Sequence, residues 1–310
     1  MTPPPGTSDA VAIELTAVLV ALTADQPLVL TLEDGTLLPS GPFATEHPTL
    51  QSGVRAWVER QTHHPLGYVE QLYTFADRNR LGLDGRQRVV SISYLGLTRE
   101  RLSAGARDPE WRSWYRYFPW EDWRAGPSPL IARSILPQLL NWAGAPGDAT
   151  GRHERQQRVE VSFGDGVGNW NEDLILQRYE LLYEAGLVPE AKQVAVDPVP
   201  GMPMRHDHRR ILATGIARLR AKIKYRPVFF ELMPPEFTLL QLQRAVEALA
   251  GRPMHKQNFR RLIDAQGLVE PTGASTSEAR GRPAKLFRFR REVVLERAVL
   301  GSKLPLSRQI

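Results

Sequence analysis

Residues 235–290 carry the pattern that most restricts how this chain can fold. Thr238 followed by Gln241 is a capping box that starts a helix, and apolar residues then recur at helical spacing. Gly251 ends that helix, and a second short helix is predicted over residues 255–266. Two short helices joined by a tight turn predict a helix-turn-helix unit.

The second helix has one apolar side, where Phe259, Leu262 and Ile263 are predicted to face the core. Its remaining surface holds residue types that hydrogen-bond phosphates and purine edges in a major groove. The candidate DNA contacts on this helix are Lys256, Gln257, Asn258, Arg260 and Arg261. Consecutive helical residues fan out by about 100°. Gln257 and Arg261 are therefore predicted to reach base edges, while Lys256 and Arg260 lean toward phosphates.

Two strands are predicted after Gly267, over residues 268–270 and 285–291, with a Gly/Ser/Thr-rich loop between them. Such a hairpin is the wing of a winged helix domain. Arginines near the loop tip suit a minor groove or a phosphate. The candidate DNA contacts of the wing are Arg280, Arg282 and Lys285. The alternative is a small basic helical domain with a solvated surface.

Charge supports a polyanionic partner at this end of the chain. The 310 residues have a net charge of +6, but residues 205–291 hold 19 Lys and Arg against 7 Asp and Glu. That segment is therefore +12, and the remainder is −6. A basic end on a mildly acidic body indicates nucleic-acid binding.

Several classes of protein are disfavoured by what the sequence lacks. There is no cysteine, which excludes disulfides, thiolate zinc sites and cysteine nucleophiles. No apolar run is long enough to span a bilayer, and the first residues do not resemble a signal peptide. The histidines have no carboxylate cluster beside them, so no metal site is predicted. The expected location is cytoplasmic.

The first hundred residues alternate strand-like and helical segments. Strands are predicted over 11–22, 28–30, 69–75 and 88–97, with a helix over 54–61 and loops over 37–42 and 77–88. The segment around the helix resembles a Nudix box, a loop-helix-loop motif with several metal-binding glutamates. With Gly41 as the box glycine, Arg55 and Glu59 match the motif. The positions that depart from it are His47, Ala56, Arg60 and Thr62.

Cutting a pyrophosphate requires Mg²⁺ held by several carboxylates. The departures at Ala56 and Arg60, where glutamates are expected, predict that the box is degenerate and that the protein is not an enzyme. The second hypothesis, from a different class, is an active Nudix hydrolase of ADP-ribose or dinucleotides with a basic nucleic-acid-binding tail. Metal-dependent turnover would discriminate the two.

Together, the two halves resemble the Nudix-related transcriptional regulators of NAD metabolism over about residues 11–98 and 205–291. The matching motifs are YTFADR at 73–78, RVVSISYL at 88–95, DH at 207–208, PEFTL at 235–239, NFRR at 258–261 and GRPA at 281–284. The degenerate box and long insert look most like the alphaproteobacterial NAD-biosynthesis repressors called NadQ. The resemblance implies an α+β fold: a Nudix-like α/β/α sandwich with a helical insertion, then a C-terminal winged helix-turn-helix domain.

The resemblance also implies a repressor that dimerises, binds double-stranded operator DNA of NAD-biosynthesis genes and senses a nucleotide-type effector. ATP, NAD, ADP-ribose and nicotinate-related compounds are the candidate effectors, with no required cofactor. The paired N–H donors of an arginine guanidinium match the spacing of phosphate oxygens. Arginines are therefore suited to an anion that is bound and not cleaved. The candidate effector contacts are Arg55, Glu59, Arg60, Arg78, Arg80 and Arg88.

The predicted domains are an effector-binding domain over residues 11–200 and a winged helix domain over 205–291, with tails at 1–10 and 292–310. Residues 100–200 form a family-specific helical insertion. Its aromatic-rich part, 111–124, is interpreted as an extra helical layer or as a surface that stacks on a ligand ring. A helix is predicted over 208–224, with Arg218, Arg220, Lys222 and Lys224 on a solvated or phosphate-contacting face.

Overall fold

The computed structural model describes residues 11–23, 25–63, 66–76, 88–99, 110–164, 170–225, 228–276 and 283–291. The strands are β1 (Ala12–Thr23), β2 (Gln26–Thr31), β3 (Ser40–Pro42), β4 (Tyr68–Phe75), β5 (Val89–Leu97), β6 (Glu110–Ser113), β7 (Phe237–Thr238), β8 (Val269–Ser275) and β9 (Lys285–Phe289). The α-helices are α1 (Leu50–Thr62), α2 (Leu136–Gly144), α3 (Ala149–Phe163), α4 (Ile175–Glu184), α5 (His208–Tyr225), α6 (Leu239–Ala250) and α7 (Lys256–Gln266).

The larger sheet is mixed, with the strand order β4-β5-β1-β2-β6, and β3 also pairs with β1. Strand β1 is long enough to pair with β5 in parallel along most of its length, from Ala12 opposite Val89 to Val20 opposite Leu97. Its first part also pairs with β3 and its last part with β2, both antiparallel. Side chains on both faces of this central strand are buried, which explains its near-continuous apolar run.

Helices cover this sheet on two sides. Alternate residues of β1, including Leu15 and Leu19, pack with Val54 and Val58 of α1 in one buried cluster. On the other face α5 crosses close to β1, because Gly215 has no side chain. A Cβ at that position would lie 2.9 Å from a methyl carbon of Val18. The result is an α/β/α arrangement, as the resemblance to the Nudix-related regulators implies.

Helix α5 connects the two predicted domains instead of belonging to the second alone. Its apolar face is buried as predicted, with Ile216 and Leu219 fully enclosed. At its start, the backbone N–H of Leu38 donates to His208 Nδ1 over 2.9 Å. Near its end, Lys222 pairs with Glu70 of β4. The prediction that Arg220 lies on a solvated face is wrong, because its side chain is buried.

The segment after residue 110 is not helical throughout. Strand β6 extends the larger sheet, with Trp111 opposite Leu30, and short 3-10 turns follow at 114–116 and 119–121. Trp114, Phe118 and Trp120 are fully buried in the main core. Those three rings pack within the chain and are not available to stack on a ligand. The helical layer begins later, with a π-helical turn at 131–135 and then α2, α3 and α4.

Two further segments differ from the sequence prediction. The predicted loop over 37–42 contains β3, and Leu37 bridges to Leu32, so this segment is part of the sheet region. The predicted wing strand over 268–270 continues as β8 to Ser275. Backbone pairing with β1 in the first case and with β9 in the second supplies hydrogen bonds that single-residue propensity does not indicate.

The C-terminal part has its own small sheet, with the order β7-β9-β8. Phe237 of β7 lies opposite Phe287 of β9, and Val269 of β8 lies opposite Phe289. Phe237 is fully buried and its ring centroid is 4.7 Å from that of Phe289. This sheet closes one side of the α6–α7 pair and completes a winged helix. Within the described part of the chain, no helix is both long and apolar enough to cross a membrane.

Candidate nucleic-acid interface and effector region

Local hydrogen bonds fix both ends of α6, the first helix of the winged helix. The Thr238 hydroxyl accepts from the Gln241 N–H over 3.2 Å, and the Gln241 side chain accepts from the Thr238 N–H over 2.7 Å. This confirms the predicted capping box. At the other end Gly251 adopts φ 73°, and its N–H donates to Glu247 O over 2.8 Å. A left-handed C-cap of this kind releases the chain toward α7.

Helix α7 buries Phe259 and Ile263 and leaves most of its remaining surface in solvent. The five predicted DNA contacts on this helix, Lys256, Gln257, Asn258, Arg260 and Arg261, are all exposed. Leu262 was predicted to face the core, but 45% of it is exposed. The helix turns by about 100° per residue, so a position next to Ile263 falls on the flank of the buried stripe.

Arg261 and Asn258 act as a pair on this exposed surface. Arg261 Nη2 donates to Asn258 Oδ1 over 2.7 Å, one helical turn away. The bond uses one lone pair of the Asn258 side-chain oxygen and orients the guanidinium group. Arg261 keeps further N–H donors that this bond does not use, since a guanidinium has five.

The wing hairpin places Lys285 at the start of β9, where it is exposed. Arg288 on the same strand forms an ion pair with Glu270 of β8 over 2.7 Å. Arg280 and Arg282, predicted to lie at the wing tip, are outside the described residues. The described part of the wing therefore provides one of its three predicted DNA contacts.

The Nudix-box segment forms α1 and the turn before it. Gly41 is required by close packing, because a Cβ there would lie 2.2 Å from the Trp57 indole. The Trp57 Nε1–H donates to Pro42 O over 2.8 Å, which ties α1 to β3. The helix starts at a capping box formed by Thr49 and Ser52.

The predicted effector contacts differ in their exposure and in the groups that they contact. Arg55 donates to the backbone carbonyls of Leu66 and Gly67, the second over 3.0 Å, so its guanidinium holds the segment before β4. Glu59 is exposed on α1, and Arg60 stacks over the Trp57 ring at 4.7 Å. Arg88 is exposed just before β5. Arg78 and Arg80 are outside the described residues.

In the described residues, no group of three or more His, Asp or Glu side chains is placed to hold a metal ion. Glu59 lies beside Arg60 on the exposed end of α1. A single carboxylate next to a fixed positive charge does not fit Mg²⁺, which prefers several oxygen ligands.

Sequence reasoning missed the junction between the winged helix and the rest of the chain. The Tyr115 hydroxyl donates to Ala248 O over 2.6 Å, and the Trp123 N–H donates to Gly251 O over 2.7 Å. Burial raises the pKa of the Tyr115 hydroxyl, against the opposing charge of Arg220, so the hydroxyl keeps its proton at neutral pH. Aromatic residues with scattered arginines were the signal in the sequence, but their partners lie far along the chain.

The fold and the exposed α7 surface define a two-part protein: a Nudix-like α/β domain followed by a C-terminal winged helix domain. Residues 229–289 match the family of the NrtR DNA-binding winged helix domain. A curated relative, the "ADPR responsive transcriptional repressor NtrR" of Acinetobacter baylyi, is 36% identical over 96 residues. That match covers 31% of this chain and 38% of the relative, so the chain aligns with well under half of the relative's length.

Solved structures share the overall fold. Shewanella oneidensis NrtR complexed with a 27mer DNA matches with a TM-score of 0.51 at 22% identity, over 91% of this chain and 95% of that chain. A MutT/nudix family protein from Enterococcus faecalis matches with a TM-score of 0.51 at 17% identity, over 91% of this chain and 88% of that chain. At these sequence identities the structural similarity shows a shared fold and nothing more specific.

Proposed function

We propose that this protein is a ligand-responsive transcriptional repressor that binds operator DNA through its winged helix. The observation that carries the proposal is the α7 surface, where Lys256, Gln257 and Arg261 are exposed in a domain similar to a DNA-binding family. These side chains offer donors for phosphates and purine edges, and a major groove is wide enough to admit an α-helix. Arg280, Arg282 and Lys285 of the wing complete the proposed DNA contacts.

The Nudix-like domain is the proposed effector domain, and ADP-ribose is the first effector to test. A relative that matches part of this chain is named for its response to ADP-ribose. Binding without cleavage is supported by the carboxylate-poor end of α1, where Ala56 and Arg60 replace glutamates of the Nudix motif. The proposed anion contacts remain Arg55, Glu59, Arg60, Arg78, Arg80 and Arg88. Arg55 would have to leave or share its two carbonyl partners.

The finer proposal is a cytoplasmic homodimer of the NadQ type that controls NAD-biosynthesis genes. It is supported by the long insertion that follows β5, by the departures in the box, and by the short reach of one recognition helix. One such helix reads only a few base pairs, so two are needed for specificity in a genome. The proposed division is an effector domain over 11–200 and a DNA-binding domain over 205–291, with α5 in contact with both.

The test is a titration of the full chain with DNA from upstream of NAD-biosynthesis genes and with random DNA of equal length. We expect the upstream DNA to bind with at least a thousandfold lower Kd, on the order of the gap between specific and non-specific binding. We expect ADP-ribose to change the operator Kd by about fivefold or more, while it is recovered intact after incubation with Mg²⁺. Equal affinity for both DNAs would disprove operator binding, and efficient turnover would favour the hydrolase.

A further inference from the structure

A buried ion cluster lies where the insertion, α4 and α5 meet. Glu121 has no exposed side-chain surface, and Arg178 of α4 donates to both of its oxygens, over 2.6 Å and 3.0 Å. Arg220 of α5 donates to Glu121 Oε2 over 2.7 Å. Arg178 also donates to the carbonyl oxygens of Ser162 and Asn171, both over 3.0 Å. One carboxylate thus holds two arginines from two helices in a fixed arrangement.

This cluster reaches directly into the winged helix. Arg220 Nε donates to Leu249 O over 3.0 Å, beside the bond from the Tyr115 hydroxyl to Ala248 O. Both carbonyls belong to the last turn of α6, where carbonyls have no partner within the helix. The part of the chain that precedes the winged helix, here called the body, therefore supplies hydrogen bonds to the C-terminal end of α6. Helices α6 and α7 together are called the reading unit.

The turn between α6 and α7 packs closely against the same cluster. A Cβ at Gly251 would lie 2.4 Å from Glu121 O and 2.9 Å from the Tyr115 hydroxyl. Within the same turn, Arg252 donates to Trp170 O over 3.0 Å. The turn that leads into the recognition helix is thus in contact with the body through several short, directional bonds.

Directional bonds of this kind set geometry more than they add net stability. A buried ion cluster gives little stability over apolar packing of the same volume, because desolvation offsets the attraction. Charge-assisted bonds from an arginine fork are specific in distance and angle. A smooth apolar contact would hold α6 on the body equally well and would allow it to slide.

We propose that Glu121, through Arg220, is a positioning residue that fixes the angle at which the body presents the α6–α7 unit to DNA. This inference rests on the proposed function, in which two copies of the chain bind two half-sites. The angle of each reading unit on its body then determines which spacing between half-sites both copies can reach. Glu121 would therefore set spacing selectivity without contacting DNA.

The test compares spacing selectivity in full-length variants. An operator is first selected from random DNA by the wild-type protein, and its half-sites are then moved apart by one to three base pairs. Each added base pair shifts one half-site by about 3.4 Å and rotates it by about 35°. Kd is measured for the preferred operator, for each shifted operator and for a single half-site, with wild type, Glu121→Gln and Tyr115→Phe.

We expect the single-half-site Kd to stay within about twofold in both variants. The ratio of Kd between shifted and preferred operators should fall by about tenfold in Glu121→Gln and by several-fold in Tyr115→Phe, which loses one hydrogen bond. The matched control is Glu184→Gln, which breaks the exposed pair with Arg158 on the same insertion, 2.5 Å apart. It should leave the ratio unchanged.

An unchanged ratio in folded Glu121→Gln would overturn the positioning role. An equal loss of affinity for the single half-site and for every operator would also overturn it, because that is the signature of a merely structural role. If Glu121→Gln does not fold, Tyr115→Phe decides by the same two criteria. A wild-type protein with no preferred spacing would instead disprove dimeric operator binding, and this inference with it.

Discussion

At the scale of single residues, the assignment of α7 side chains to base contacts or to phosphate contacts can be tested directly. Arg261 lies opposite the buried stripe of Phe259 and Ile263 and is oriented by its bond to Asn258. We expect Arg261→Ala or Gln257→Ala to cost about 1–3 kcal/mol on the operator, with much less effect on random DNA. Competitive titration with both DNAs measures the difference. Arg158→Ala, on the distant α3, is the control, and equal losses on both DNAs would contradict base reading by Arg261.

Lys256 should behave differently, because it lies at the start of α7 on the flank of the buried side. A lysine there serves phosphates, which carry no sequence information. We expect Lys256→Ala to weaken operator and random DNA by similar factors and to lower the slope of log K against log salt by about one. Kd values at several salt concentrations give this slope. A selective loss on the operator would assign Lys256 to base reading instead.

At the scale of elements, the contact between α5 and the winged helix should weaken in acid. Glu172 pairs with Lys224 of α5 over 2.9 Å and with Arg252 over 3.4 Å. Burial alone would raise the pKa of Glu172, but its bonds, chiefly from Lys224, lower it overall. Because the folded-state pKa is the lower one, the stabilisation is complete above the unfolded value of about 4.3 and is lost as pH falls through the folded value.

We expect Glu172→Gln to be less stable than wild type at neutral pH and to approach wild type below about pH 4. Urea unfolding at a series of pH values measures the free energy of unfolding of each protein. Glu184→Gln serves as an exposed comparison, since the Arg158 hydrogen bond also lowers the pKa of Glu184. A Glu172→Gln difference that grew in acid would contradict the sign of this linkage.

At the scale of the whole molecule, the proposal requires two copies of the chain on one operator. We expect a particle of twice the chain mass in solution and two chains per operator duplex, measured by light scattering and by analytical ultracentrifugation. The reason is that one recognition helix contacts too few base pairs to select a site in a genome. A single chain both in solution and on a full operator would contradict the dimer.

Local sequence determined the two helices of the winged helix. The Thr238–Gln241 capping box, the left-handed Gly251 and the buried Phe259 all depend on residues within one or two helical turns. Hydrogen bonds and steric effects at this range are present in any fold that contains the segment. The same argument predicts the exposed face of α7, but it fails at Leu262. Leu262 lies on the flank of the buried stripe, so its exposure depends on which neighbouring elements pack there.

Tertiary structure alone decided how the two parts of the chain meet. Glu121 pairs with Arg178, 57 residues away, and with Arg220, 99 residues away. The sequence places Arg220 on the polar side of an amphipathic helix, which normally faces water. It is buried because the 3-10 turns at 114–116 and 119–121, the turn at Glu172 and the end of α6 close over that side of α5. No local periodicity encodes this packing, since it depends on which distant segments return to the same place.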